Sequence, residues 1–288
     1  MRKKTLQALS IPLLAILMFS TISVLRTYSL QSEWLSLENE YFIVYYRSGY
    51  EADASKTLEW AMLGRSATLK VIPHTLETRV KIFLWDAESW KRPPWQAHAD
   101  TARYEIHVLT PSDQDKYKGT QWYCGEYCKD PKWYIYAVTH EYVHIVINHI
   151  AREPGKPYAD VPGWLHEGFA SYIPDYHTVP GMIEKHMWYY EPALKAIRSG
   201  DGYLLVMAGI QYGGQTLIAR YMYEVYGSAS IVCFFSSLWR LGFIGSMKSC
   251  MNVPMAGFED RWFDWISETF NISRDLYPRY TVGFPVFT

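Results

Sequence analysis

The chain has 288 residues, of which 49% are hydrophobic and 20% are charged. A chain of this length and apolar content can bury a sizeable core, which excludes a disordered protein. Lysine and arginine together number 28, against 29 aspartate and glutamate residues, so no basic surplus points to a nucleic-acid partner.

The amino terminus has the pattern of a membrane segment. Basic residues at positions 2–4 precede an uncharged run, Thr5–Leu25, that ends before Arg26. This is about the length that crosses a bilayer as a helix, and no small-residue cleavage site follows it. The pattern predicts an uncleaved signal anchor over residues 1–30, with the remainder of the chain outside the cytoplasm. A cleaved signal peptide, which would give a secreted protein, and a buried helix of a soluble protein are the alternatives.

The first half of the remaining chain predicts strands around one helix. Apolar residues alternate over Tyr41–Arg47 and Thr78–Asp86, as in strands with one buried face. Ala52–Val71, between them, predicts a helix, and Tyr104–Thr110 predicts a third strand after a loop over residues 92–100. The apolar face of the second predicted strand consists of Val80, Ile82 and Leu84.

The second half predicts helices. Helical patterns begin at Lys132 and continue almost to the end, interrupted by the Pro- and Gly-rich loop Arg152–Gly163. The fold class predicted is therefore α+β, with a small amino-terminal sheet half and a helical carboxy-terminal half. Because neither a repeat nor a long linker divides them, residues 31–270 are expected to form one domain, followed by a tail over residues 271–288.

The four cysteines fit an oxidising compartment. Three pairings are possible, and the local one joins Cys124 to Cys128 and Cys233 to Cys250. A metal site at the C-x3-C of the first pair is the alternative.

A single predicted helix carries two histidines and a glutamate in the order HEYVH. His140 and His144 are four residues apart, so their imidazoles lie on one helix face and can reach one ion. Catalytic zinc takes three protein ligands and keeps a fourth position for water. Glu141 is suited to accept a proton from that water. The pattern predicts a catalytic Zn2+ site.

The stretch PGWLHEGFASYIP, Pro162–Pro174, supplies a candidate third ligand. Pro162 can occupy the first turn of a helix that Pro174 is expected to end. Glu167 in its middle is the preferred ligand, and the adjacent His166 competes with it. Because neighbouring helical residues point about 100° apart, both cannot face the ion. Gly168 would permit close contact between two helices.

These motifs resemble those of the gluzincins, zinc metallopeptidases with an HExxH motif and a downstream glutamate. The pair HEYVH and WLHEGFASY is most similar to the peptidase MA-like domains, which are related to the aminopeptidase and leukotriene hydrolase branch. The loop between the two motifs is longer here than in that branch. Two further stretches, Tyr212–Gly227 and Phe258–Ile266, resemble later helices of the family.

The resemblance implies a zincin-like fold with zinc between its halves and a peptide or protein substrate. It implies zinc binding by His140, His144 and Glu167, with Glu141 as general base and Tyr212 as hydrogen-bond donor to the oxyanion. Ser171, one helical turn after Glu167, is expected to be a hydrogen-bond partner of a zinc ligand. The strand Tyr104–Thr110 is expected to be the cleft edge that pairs with an extended substrate.

The glycine- and methionine-containing motif with which aminopeptidases bind the substrate amino group has no counterpart, which argues against aminopeptidase specificity. Pairing of an extended peptide with the strand Tyr104–Thr110 would suit an endopeptidase. Two other functions fit the same resemblance. One is a zinc-binding domain that binds a partner without turnover, and the other is a zinc hydrolase of a non-peptide amide.

Overall fold

The structure is a computed structural model that describes residues 34–93, 96–117, 131–179 and 212–271. Three of the sequence predictions lie outside these residues: the signal anchor over residues 1–30, the pairing of Cys124 with Cys128, and the tail over residues 271–288 except for Asn271.

A mixed sheet of five strands forms the first half of the described chain. The strands are β1 (Leu35–Glu38), β2 (Phe42–Tyr46), β3 (Val80–Trp85), β4 (His98–Asp100) and β5 (Glu105–Leu109), in the spatial order β1-β2-β3-β5-β4. The three central strands β2, β3 and β5 run parallel, and each outer strand runs antiparallel to its neighbour. The three strands predicted from the sequence are confirmed.

Alternation of apolar side chains gives the sheet one buried face. Val80, Ile82 and Leu84 are all buried in the core, as their spacing predicted. The opposite face has a row of stacked rings, in which ring centroids of neighbouring strands lie 4.7 to 5.0 Å apart. The rings belong to Tyr45, Phe83, His107 and His98.

The described part of the chain has five α-helices, one between β2 and β3 in the sequence and four after β5. They are α1 (Glu51–Val71), α2 (Pro131–Ala151), α3 (Gly163–His177), α4 (Tyr212–Met251) and α5 (Met255–Phe270). The largest helix contacts are α1 with α2, α2 with α3, and α3 with α4, so α2 lies in the middle of the molecule. Gly64 permits the close approach of α1 to α2, since a Cβ there would lie 2.5 Å from Oγ1 of Thr139.

Two glycines interrupt α4. Gly227 (φ 76°) and Gly242 (φ 65°) have backbone angles outside the helical region. Taken as continuous, Gly214–Met251 has the length and apolar character of a membrane span, and 39% of its most apolar window is buried. The breaks divide α4 into segments that are each shorter than the roughly 20 residues of a straight span.

The disulfide between Cys233 and Cys250 joins the second and third segments of α4. This pairing confirms the sequence prediction for the two downstream cysteines.

Two expectations about element boundaries were wrong. The loop predicted over residues 92–100 contains strand β4, which is too short to show a period of two and depends on pairing with β5. Pro174 does not end α3, which continues to His177. A proline inside a helix removes one hydrogen bond because it has no N–H, but its carbonyl can still accept. The carbonyl of Pro174 accepts hydrogen bonds from the N–H groups of Thr178 and Val179.

Candidate metal centre

Helix α2 supplies the two histidines from the interior of the protein. Almost all of its side chains from Ala137 to Ala151 are buried between the sheet, α1 and α3. Such an apolar helix is stable only when it is covered on all sides. The position of its polar residues is therefore fixed by the packing of the whole domain.

The side chains of three residues, His140, His144 and Glu167, bring potential metal-binding atoms to one point. Nε2 of His140 and Nε2 of His144 are 3.1 Å apart. Oε2 of Glu167 lies 3.2 Å from the first of these nitrogens, and Oε1 lies 3.5 Å from the second. Ligands at 2.0 to 2.1 Å from a tetrahedral zinc ion would be separated by about 3.3 to 3.4 Å. The spacing of the donors therefore fits a zinc ion.

The carboxylate reaches this point because α3 packs closely on its neighbours. Leu165 and Phe169, on either side of Glu167, are fully buried. Gly168 lies against the backbone of Gln215 in α4, where a Cβ would have no room. The close contact at Gly168 is therefore with α4 and not with α2, the helix against which the sequence analysis expected it.

The negatively charged form of Glu167 and the positively charged form of His140 stabilise each other. Burial favours the neutral form of each group, but the hydrogen bond and the charge between them outweigh this effect. The pKa of His140 is therefore raised and the pKa of Glu167 is lowered from their ordinary values. The pKa of His144 lies well below its ordinary value because of burial and the nearby imidazoles of His140 and His166.

Glu141 lies beside the three donors and is only 8% exposed. Burial raises the pKa of this carboxyl to about 7, and a hydrogen bond with the backbone of Ala99 acts in the opposite direction. A carboxyl that gains and loses a proton near neutral pH is suited to general acid–base chemistry.

His166 contacts a candidate ligand instead of facing the common point. Its Nδ1 lies 3.1 Å from Nδ1 of His144. Burial lowers the pKa of His166 to about 4, so the ring is neutral at physiological pH and has one nitrogen that can accept a hydrogen bond. The sequence presented His166 as a competitor of Glu167; the 100° between adjacent helix positions instead directs it to the far side of His144.

Strand β4 forms the edge of the sheet next to the site. The sequence assigned that edge to Tyr104–Thr110, which is wrong because β5 lies between β3 and β4. Among the described strands, none pairs with the outer side of β4. Ala99 at its centre contacts Glu141 through the backbone, and neither residue 99 nor the strand was singled out by the sequence. A strand of three residues gives no periodic signal that could have identified it.

Two further candidate residues came from the sequence, Tyr212 and Ser171. Tyr212 is the first residue of α4, but its side chain lies outside the part of the chain that is described. Ser171 lies one helical turn after Glu167 and is buried, and its Oγ forms no hydrogen bond. The expected contact between Ser171 and a metal ligand is therefore not formed.

Comparison of the chain with protein-family models, with curated proteins and with solved structures finds no significant match.

Proposed function

We propose that the protein is an outward-facing zinc metallopeptidase of the gluzincin type, held to the membrane by residues 1–30. The observation that carries the proposal is the convergence of donor atoms from His140, His144 and Glu167 at the spacing that zinc requires. The buried carboxyl of Glu141 next to them favours a catalytic site over a structural one, because a structural site has no use for a base.

The chemistry proposed is hydrolysis of a peptide bond by a water molecule. A zinc ion bound by the three donors would lower the pKa of that water to about 7 and polarise the substrate carbonyl. Glu141 accepts the proton from the water and donates it to the leaving amine.

The edge of β4 supports a peptide as the substrate. An extended peptide can add to an open strand edge through backbone hydrogen bonds, which are independent of its side chains. Because Ala99 in β4 contacts Glu141, a peptide paired with this edge would pass beside the base. This arrangement suits an endopeptidase.

Tyr212 is proposed as the donor to the oxyanion, on the strength of the family resemblance and its place at the start of α4. Replacing one such donor lowers the turnover number by about 100- to 1000-fold. We expect this reduction for Tyr212→Phe, with zinc content unchanged.

The first test uses the full-length chain in detergent. Zinc content is measured by elemental analysis, and cleavage of an unbiased peptide mixture is followed by mass spectrometry, for the wild type, Glu141→Gln and Glu153→Gln. Glu153 is exposed in the loop after α2 and serves as the matched control.

The expected result is one zinc ion per chain in all three proteins, with cleavage by the wild type and Glu153→Gln only. Zinc in all three proteins without any cleavage would reject the peptidase proposal and favour a zinc-binding domain without turnover. A folded wild type without zinc would reject the metal centre itself.

A further inference from the structure

The loop over residues 152–162 joins the helix of the two histidine ligands to the helix of Glu167. It begins with a turn in which the N–H of Lys156 donates to the carbonyl of Glu153, and Gly155 has a left-handed φ of 82°. Because the loop ends where α3 begins, its course helps to determine how α3 is placed on α2.

The side chain of Asn148 holds this loop against α2. Its Nδ2 donates to the carbonyl of Pro157 at 3.2 Å, and its Oδ1 accepts from the N–H of Ala159 at 2.7 Å. Within the described residues, no other hydrogen bond joins residues 153–161 to α2. Asn148 is only 4% exposed, so water cannot easily replace either partner. The amide also has one orientation, because exchanging its oxygen and nitrogen would break both bonds.

Asn148 lies on the helix face that carries the candidate ligands. It follows His144 by four residues, as His144 follows His140, so the three side chains are one helical turn apart. The same buried helix therefore holds two metal ligands and the amide that binds the loop.

The connection from the bound loop to Glu167 is short. Ala159 and Glu167 are eight residues apart in the sequence. Between them Ala159 and Val161 pack against the core, and the carbonyl of Pro162 accepts from the first N–H groups of α3. A displaced loop would shift the start of α3, and with it the carboxylate oxygens that lie 3.2 and 3.5 Å from the histidine nitrogens.

We propose that Asn148 is a positioning residue for the metal centre. By holding the loop against the end of α2, it fixes the point at which α3 begins and so brings Glu167 to the two histidines. The competing explanation is that the contact of Gly168 with α4 places α3 by itself, so that Asn148 contributes to stability alone. The inference rests on the proposed zinc site, but it does not require turnover.

The test compares Asn148→Leu with Asn39→Leu in the full-length chain. Leucine is close to asparagine in shape but neither donates nor accepts a hydrogen bond. Asn39 is the matched control because its Oδ1 also binds loop backbone, at the N–H groups of Tyr41 and Phe42, and it belongs to the connection between β1 and β2.

Both variants should unfold at a lower denaturant concentration than the wild type, since each loses two hydrogen bonds to backbone. We expect zinc to bind Asn148→Leu about 10-fold more weakly than the wild type, measured by competition with a chelator. Asn39→Leu should bind zinc like the wild type.

Co2+ in place of zinc gives a second measurement. Its visible absorption depends on the number and geometry of its ligands. Asn148→Leu should change this spectrum because Glu167 is displaced, whereas Asn39→Leu should have the wild-type spectrum. A residue that served stability alone would leave the spectrum of the folded protein unchanged.

A backbone ester at position 159 tests the same contact from the side of the loop. It removes only the N–H that Asn148 accepts from and leaves every side chain of α2 in place. We expect a smaller loss of zinc affinity than in Asn148→Leu, in the same direction. If Asn148→Leu does not fold, the ester variant decides alone.

Equal zinc affinity and identical Co2+ spectra of the two leucine variants would overturn the proposal, as would an ester without any effect on zinc binding. A wild type that binds zinc without cleaving peptides would reject the peptidase and leave this inference standing. A folded wild type without zinc would reject the metal centre and the role of Asn148 together.

Discussion

Gly168 of α3 lies against the backbone of Gln215 in α4, so closely that a Cβ would be 2.9 Å from the carbonyl carbon and nearer still to the oxygen. We expect Gly168→Ala to force the two helices apart and to lower the free energy of unfolding by about 1 to 3 kcal/mol. Zinc affinity should fall as well, because Glu167 moves with the helix. Chemical denaturation and a zinc titration measure the two effects.

Gly163→Ala is the matched control for this prediction. Gly163 begins the same helix, and a Cβ there would meet nothing within 4 Å. Its replacement should leave zinc affinity unchanged. Equal stability and equal affinity of the two variants would show that the contact with Gln215 does not position Glu167.

His166 is expected to hold His144 in its metal-binding orientation. In the tautomer of His166 that carries its hydrogen on Nε2, Nδ1 of His166 accepts from the Nδ1–H of His144, 3.1 Å away, and Nε2 of His144 is left for the metal. His166→Phe keeps a ring but removes the acceptor, and should weaken zinc binding by about 10- to 100-fold. His166→Asn retains an acceptor and should recover part of the loss. A competition titration that finds wild-type affinity for His166→Phe would contradict this role.

Acidification should destabilise the protein through His98. Burial and the charges of Arg92 and His107 lower the pKa of His98 to about 4, from an ordinary value of 6.5. Between these two values the unfolded chain binds more protons than the folded one, so the free energy of unfolding decreases as pH falls from about 6.5 to about 4. Below the folded pKa the loss is complete.

His98→Phe tests this prediction, since a phenyl ring can still stack on His107 at the 4.7 Å centroid distance. The variant should lose less stability between pH 7 and pH 5 than the wild type. A single titrating group can change the free energy of unfolding by at most about 1.4 kcal/mol per pH unit. The contribution of His98 should be smaller than this maximum because its ring is partly exposed. Denaturation curves with equal pH slopes for both proteins would exclude His98 as the source.

The disulfide between Cys233 and Cys250 should contribute to stability rather than to the metal centre. It closes a loop with a sequence separation of 17 residues, and cross-links of this length stabilise by about 3 kcal/mol in the chain-entropy model. We expect Cys233→Ser/Cys250→Ser to unfold at a lower denaturant concentration. Because the metal donors come from α2 and α3, zinc affinity should change far less. Unaltered stability of the double variant would contradict the prediction.

The sequence determined the parts of the site that depend on local geometry. The four-residue spacing of His140 and His144 places them on one face of any α-helix, whatever packs around it. The alternation of Val80, Ile82 and Leu84 likewise fixes the buried face of a strand. Both patterns arise from backbone periods that neighbouring residues impose, so they can be recognised without a tertiary structure.

Tertiary structure alone decided three other features. The contact of His166 with Nδ1 of His144 depends on how α3 packs on α2, and the sequence offered His166 only as a competitor of Glu167. Strand β4 exists because β5 pairs with it. Helix α3 continues through Pro174 although local propensity predicts its end there. In each case contacts between residues distant in the sequence outweigh a local conformational preference of at most a few kcal/mol. Such contacts do not repeat at regular intervals along the chain, so no sequence pattern indicates them.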